Sequence, residues 1–413
     1  MRLTKYLNFS TLFVFSSLFF CLILMIEFFL ADGDGLIRFH NIKTIGFNTL
    51  IIESLIFSVY KLSVWRKNFA LLTIAILSCV FTLLLVEWGV GIIMHFQQSK
   101  ITKEFKTNKE SAKYDFSKLE MVNYKEGIIL DDTLGHRGKP NWNYLWIGKK
   151  RSDTLIFSHD NFSRRIIPNN QANDRKKDKY AIFFGCSFTY GDGVQNTQTM
   201  PYYFQQYANQ YHAYNYGFLA YSPLQTLALL QKKNIRSQIP DSSGFGVFTY
   251  INDHIDRAIP ASRWTILQQG RFPNLIEETL QTDGTYRNKH RIKYGLLNWA
   301  SNSNIWNYFR INLPKTHNDT HYQLVVDVIA ESKKEFINQF HNDKFYVIIF
   351  PNQVITPPMK EMFQKADLKV YDYSKLFNLE KYMLENDPTH PKGIVYEMVM
   401  KQFYKDLEKE KKL

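Results

Sequence analysis

The sequence predicts an α/β protein, a doubly wound and mostly parallel sheet preceded by N-terminal transmembrane helices. Three observations predict it. Long, nearly uncharged apolar runs are confined to the first hundred positions, short apolar runs alternate with helical segments from Tyr180 onward, and a glycine-rich turn directly follows the first of those short runs. Strands buried on both faces read as continuous apolar runs, with crossover helices between them. The expected organisation is a membrane region at 1–97 with two or three helices, a linker and strand-containing extension at 98–178, and the α/β domain at 179–413.

In chain order, Phe9 to Ala31 is long enough to cross a bilayer and carries Glu27 as its only charge. Its apolar core is longer than that of a signal peptide and no small-x-small cleavage pattern follows, so it reads as retained. Ile45 to Val64 contains Asn48, Glu53 and Lys61 and reads either as a third span or as an interfacial helix. Phe69 to Phe96 is a further span with Glu87 late in it, and both late glutamates read as acids reaching the head groups. With three spans, Arg2, Lys5, Lys61, Arg66 and Lys67 face the cytoplasm and the large domain lies outside; with two it lies inside. The expectation is an integral protein of a bacterial inner membrane with an extracytoplasmic domain.

The extension shows strand-like pieces at Tyr144 to Ile147 and Thr154 to Ser158, and nothing in it looks catalytic. Strands are expected at Tyr180 to Phe184, His212 to Tyr216, Phe245 to Tyr250, Phe345 to Phe350 and Leu368 to Tyr373. Helices are expected at Met200 to Tyr211, Leu224 to Lys233, His321 to His341 and Ile394 to Leu407. In such a sheet reactive residues gather at the carboxyl ends of the strands. An insertion at 258–314, with Trp264, Trp299 and Trp306, reads as a lid or substrate wall, or as aromatics packing onto the sheet.

The formal net charge is +13, but the basic residues are scattered and no helix-turn-helix or zinc-finger frame surrounds them, so no nucleic-acid partner is expected. A solvated face toward anionic lipid or an acidic glycan accounts for them. Cys21, Cys79 and Cys186 build neither a disulfide framework nor a metal-ligand spacing. No metal or organic cofactor is expected.

The chemistry-bearing residues fall in two places. After the first buried strand comes Gly185-Cys186-Ser187-Phe188-Thr189-Tyr190-Gly191-Asp192-Gly193-Val194. A serine at a strand end between glycines sits on a tight turn that exposes its hydroxyl to a reaction centre flanked by backbone amides. Just ahead of the last helix stands Asp387-Pro388-Thr389-His390-Pro391. A serine hydroxyl needs a base, and the base needs a third group to hold its tautomer; an aspartate three residues before a histidine supplies both.

These motifs resemble those of the SGNH (GDSL-like) hydrolase superfamily in four blocks running from Gly185 to His390. The first matches Gly185, Cys186 and Ser187, with cysteine where the family commonly has aspartate. The second, Asn215-Tyr216-Gly217, matches the glycine whose amide helps form the oxyanion hole. The third supplies Asn252 within Tyr250-Ile251-Asn252-Asp253-His254, and the last is Asp387 and His390. The resemblance implies a flavodoxin-like three-layer fold, a Ser187–His390–Asp387 triad, and an oxyanion hole from Ser187, Gly217 and Asn252. It implies an esterase acting on an ester-linked acyl group, O-acetyl above all, of a cell-envelope glycan or lipid. An O-acyltransferase using the same triad and a non-catalytic glycan-binding component are the alternatives. Tyr190, Asp253, His254 and Arg257 are candidate substrate contacts, Tyr221 is a candidate for the pocket wall, and Asp192 reads as a turn cap. Cys186 as nucleophile is opposed by its expected direction, away from Ser187, and by apolar neighbours.

Overall fold

The computed structural model describes residues 36–37, 40–41, 78–84, 86–96, 127–146, 155–168, 178–276, 278–282, 285–384 and 387–413. The expected spans at 9–31 and 45–64 and the linker at 98–126 lie outside the described residues, apart from a short hairpin pairing Leu36–Ile37 with His40–Asn41. The chain divides into two compact units. One contains Met1–Asn108 together with Asn298–Ile311, and the other Lys109–Leu297 with Asn312–Leu413. The last part of the expected insertion thus groups with the N-terminal region.

In the first unit the longest described element is helix α1 (Ser78–Phe96), 19 residues with a mean hydropathy of 1.9, which is long and apolar enough to cross a membrane. Most of its side chains are exposed, Phe81, Leu83, Trp88 and Phe96 each by more than 60 %.

The second unit is built on five parallel strands: β1 (Lys179–Phe184), β2 (Tyr211–Asn215), β3 (Ser243–Tyr250), β4 (Phe345–Ile349) and β5 (Lys369–Asp372). Their spatial order is β5-β4-β3-β1-β2, the flavodoxin-like order that places a crevice outside the carboxyl ends of β1 and β3. Every residue of β2 and β4 is buried, as a sheet covered on both faces requires. Alternation along the strands assigns the layers. Phe183 packs on Phe204 of α3 (Met200–Tyr207), while Phe245 and Tyr346 pack on Phe403 of the last helix, Gly393–Lys409. Tyr180 turns the other way, onto Phe336 and Phe340 of the long helix Asp319–Phe340.

Element boundaries shift by one to four residues from the sequence reading. The largest shift is at α3, which ends at Tyr207, because Tyr211 pairs with Lys179 and opens β2 instead of closing the helix. The pair Asp387 and His390 does not sit in an open loop. Asp387–Pro391 is a short strand that folds back antiparallel on Met383–Leu384. The extension forms two hairpins, Ile128–Asp131 with Gly135–Gly138 and Asn143–Trp146 with Leu155–Ser158. It ends by bridging Arg165 to Asn215 at the free edge of the sheet.

Candidate active site

Strand β1 ends at Phe184 and the chain turns through Gly185 at φ +142. A Cβ there would stand 2.4 Å from the Thr189 hydroxyl oxygen, so only glycine fits. Ser187 then opens α2 (Ser187–Tyr190), a single helical turn closed by Gly191 in the left-handed conformation. Cys186, directly before it, is wholly buried.

A helix this short cannot satisfy its own carbonyls. The side-chain amide of Asn215 donates to the carbonyls of Thr189 (3.0 Å) and Tyr190 (3.4 Å). The Arg165 guanidinium donates to the carbonyls of Tyr190 (3.0 Å), Gly191 and Val194 (2.5 Å) and to the Asn196 side chain (2.9 Å). Arg165 is only 1 % exposed and its guanidinium packs against the Phe157 and Tyr190 rings, 4.5 and 4.9 Å from their centroids. This extension residue, which carries no motif, clamps the turn that holds Ser187.

The carboxyl-terminal hairpin meets this turn. The Ser187 hydroxyl lies 2.8 Å from His390 Nε2, and His390 Nδ1 lies 2.5 Å from Asp387 Oδ2. The second Asp387 oxygen accepts from the Thr389 amide at 2.9 Å and from its hydroxyl at 2.5 Å. Burial pushes the Asp387 carboxyl up, but the hydrogen bonds from Thr389 and His390 outweigh it and hold the group below the usual carboxylate range. With an ionised Asp387 accepting from Nδ1–H, Nε2 is left as an acceptor facing the serine. The His390 side chain is 15 % exposed and leans on the Phe188 ring at 5.4 Å. Gly193 abuts Leu384, so a side chain there would push the hairpin away. Asp192 accepts from the Gly193 amide, and burial pushes its carboxyl up against the pull of His390 and Arg165.

Other expected site residues fall elsewhere. The Gly217 amide, expected to face an oxyanion, donates to the side-chain oxygen of Asn215 at 3.1 Å. What this position requires is lack of a side chain, because a Cβ would stand 2.6 Å from Thr189 Cβ. The Asn252 side-chain oxygen, just beyond the end of β3, is buried and has no partner among the described residues. The Ser187 amide, in the first turn of α2, has no helical acceptor.

Tyr190, expected as a substrate contact, is fully buried, and its hydroxyl donates to His159 Nε2 at 2.8 Å. His254 is likewise sealed in, taking the Ile251 amide on Nδ1; burial first, then Arg257, holds it well below its ordinary pKa. Arg257 donates to the Tyr221 carbonyl and packs over Trp264, so it braces the loop. Asp253 alone of the four is exposed. Tyr221 does line a cavity, of about 240 Å³, together with Gly217, Arg137 and Arg164, but Ser187 and His390 are not in its wall. Among the described residues no cluster of histidine, cysteine or acidic side chains has metal-site geometry.

No protein-family model matches the chain, and no curated protein matches it. Several solved structures do. A member of the lipolytic protein G-D-S-L family from Veillonella parvula DSM 2008 is 14% identical over 57% of this chain and 100% of its own, with a TM-score of 0.31. An acetyl xylan esterase, Est2A, from the rumen bacterium Butyrivibrio proteoclasticus is 11% identical over 57% of this chain and 64% of its own, with a TM-score of 0.34. These overlaps are partial. The chain's own five-stranded sheet, with helices on both faces, has the flavodoxin-like strand order expected from the sequence.

Proposed function

We propose that this chain is a serine esterase in which Ser187 is the nucleophile, His390 the general base and acid, and Asp387 the group that orients His390. The observation that carries the reading is the continuous relay from Asp387 through His390 to Ser187, at 2.5 and 2.8 Å. Those separations are the reach a general base needs.

In the first half-reaction the Ser187 proton passes to His390 Nε2 as Oγ bonds to the ester carbonyl carbon. The carbonyl oxygen takes the negative charge, and the donors assigned to it in this reading are the Ser187 amide and the side-chain NH2 of Asn252. Collapse expels the alcohol, which takes the proton from His390, and leaves an acyl-serine. Water then gives a proton to His390 as its oxygen attacks the acyl carbon; collapse breaks the bond from the acyl carbon to Ser187 Oγ, which takes the proton back from His390, and the acid leaves. Asp387 stays ionised throughout and stabilises the imidazolium formed in each half.

A membrane anchor at α1 goes with this reading, and with it an extracytoplasmic site whose substrate is an O-acyl group on a cell-envelope glycan or lipid. The test is turnover of an aryl acetate by the full chain and by Asp387→Asn and His390→Gln, followed by acetate release from an acetylated glycan. Loss of roughly 10²-fold or more in kcat for both variants is expected; unchanged turnover in His390→Gln refutes the assignment. Acetyl transfer to added glycan at the expense of free acetate redirects the same chemistry to an acyltransferase.

A further inference from the structure

The cavity of about 240 Å³ beside the β2 edge of the sheet lies wholly within the second unit. Its walls come from three stretches: the extension at 131–164, the segment 215–221 at the end of β2, and helix α4 (Pro223–Lys232) with the residues that follow it. Three cations border it, Arg137, Arg164 and Lys233, against one acid, Asp131. That acid is already taken. Its Oδ1 accepts from the Thr133 and Leu134 amides, each at 2.9 Å, and its Oδ2 accepts from Arg137 Nε at 2.9 Å and lies 3.6 Å from Lys233 Nζ.

The two guanidinium groups are held in place but not used up. Arg164 donates from Nε to Asp160 at 2.7 Å, and from Nη1 to the Tyr216 hydroxyl at 3.2 Å and the Gln238 carbonyl at 3.4 Å. Arg137 donates from Nη1 to the Ser163 hydroxyl. Among the described residues the Nη2 group of neither has an acceptor, so each keeps a pair of N–H donors in a fixed orientation. The Arg164 side chain is only 10 % exposed, and a charge so far removed from water is stabilised by an anion that reaches its spare donors. Flat apolar faces stand beside it. The guanidinium lies 4.9 Å from the centroid of the Phe162 ring and 5.3 Å from that of Tyr216, and the Tyr216 hydroxyl is pinned to the Gln238 side chain at 2.9 Å. Phe162 borders the cavity and is still 43 % exposed. Fixed cations next to open aromatic faces suit a ligand with an anionic group at one end and a ring at the other. The volume is below that of pockets for drug-sized molecules, which start at about 300 Å³, so it suits a single ring.

We propose that this cavity binds one sugar unit carrying a carboxylate or phosphate, with Arg137, Arg164 and Lys233 on the anionic group and Phe162 against the ring. The proposal stands on the cavity alone and does not require Ser187 to be a nucleophile.

The test is isothermal titration calorimetry of the detergent-solubilised full chain with glucuronate, a glucose phosphate, glucose and inorganic phosphate. None of these probes carries an ester, so turnover does not enter the reading. One-to-one binding of glucuronate or the glucose phosphate is expected, more than about tenfold tighter than that of glucose or inorganic phosphate, and the tighter of the two names the anionic group. Lys233→Gln and Arg137→Gln should each weaken it by about tenfold or more. Lys334→Gln, which removes an exposed cation paired with Glu331 on the long helix, should leave it unchanged. The Lys233 side chain is 39 % exposed, so its replacement spares the fold, and equal urea midpoints check that. Glucose or inorganic phosphate within about tenfold of the charged sugars overturns the proposal, as does no saturation by about 10 mM of either charged sugar. An affinity that ignores both wall substitutions, or that falls equally with Lys334→Gln, overturns it too.

Discussion

Replacing Arg165 by methionine keeps a long apolar stem against Phe157 and Tyr190 but removes every donor. Four acceptors then lose a donor: the carbonyls of Tyr190, Gly191 and Val194 and the Asn196 side chain, of which Tyr190 and Gly191 keep a longer bond from Asn215 and from the Val194 amide. Arg165 is 1 % exposed, so the space its guanidinium leaves is closed to bulk water. An unpaired buried acceptor costs about 1–3 kcal/mol, and the terms do not add in full, so a loss of about 3–5 kcal/mol is expected. That is a large part of the total stability of a domain. The same four bonds hold the turn after α2, and displacement of Ser187 by about 1 Å lowers reaction at its hydroxyl by about 10²-fold. Arg165→Lys keeps the charge without the planar fork and falls between the two. The assay pairs urea unfolding midpoints with the rate constant for fluorophosphonate labelling, read at a denaturant concentration where each protein is folded. An Arg165→Met protein with the parent's midpoint and labelling rate refutes the clamp; a lowered midpoint with an unchanged rate confines it to stability.

Two further outcomes follow from the site. Burial, above all, lowers the pKa of His159 to about 4, and its Nε2 accepts from Tyr190. As pH falls from the ordinary histidine range toward 4, the unfolded chain takes up a proton that the folded chain refuses. Stability present above that range is therefore lost by about 3 kcal/mol across it. His254 and His136 shift in the same direction and steepen the loss. Urea midpoints from pH 7 to 4 should show His159→Gln with a shallower acid limb, and an unaltered limb contradicts the assignment. Gly217→Ala keeps the backbone amide but sets a Cβ 2.6 Å from Thr189. We expect about 1–3 kcal/mol of destabilisation and slowed labelling of Ser187, while parent-like behaviour shows that the turn has slack.

Much of this site is legible in the sequence because its signals are local. Glycines around Ser187 announce a turn after a buried strand, and the Asp387–His390 spacing announces a pair that one short segment can present together. Five apolar runs with helical stretches between them suffice for the parallel sheet. Arg165 leaves no such trace, since its partners lie 25 or more residues away and nothing in the extension is periodic around it. Gly217 misleads for a related reason. A glycine after a strand looks like an exposed amide, and only the fold shows Asn215 folding back to occupy it. His254 and Tyr190 adjoin the proposed site residues in sequence, but each lies in a short helix whose turn points it into the core. Glu87, read as an acid reaching for head groups, instead accepts from the Ser303 hydroxyl and the Asn304 and Ile305 amides, more than two hundred positions away.

The central claim is that the Ser187 hydroxyl is the reactive group and that His390 activates it. The direct measurement is intact-protein mass after exposure to a fluorophosphonate, for the parent chain, Ser187→Ala and His390→Gln. One adduct on the parent that maps to Ser187, none on Ser187→Ala and greatly slowed addition to His390→Gln is the expected result. An adduct that forms at the parent's rate on Ser187→Ala contradicts it.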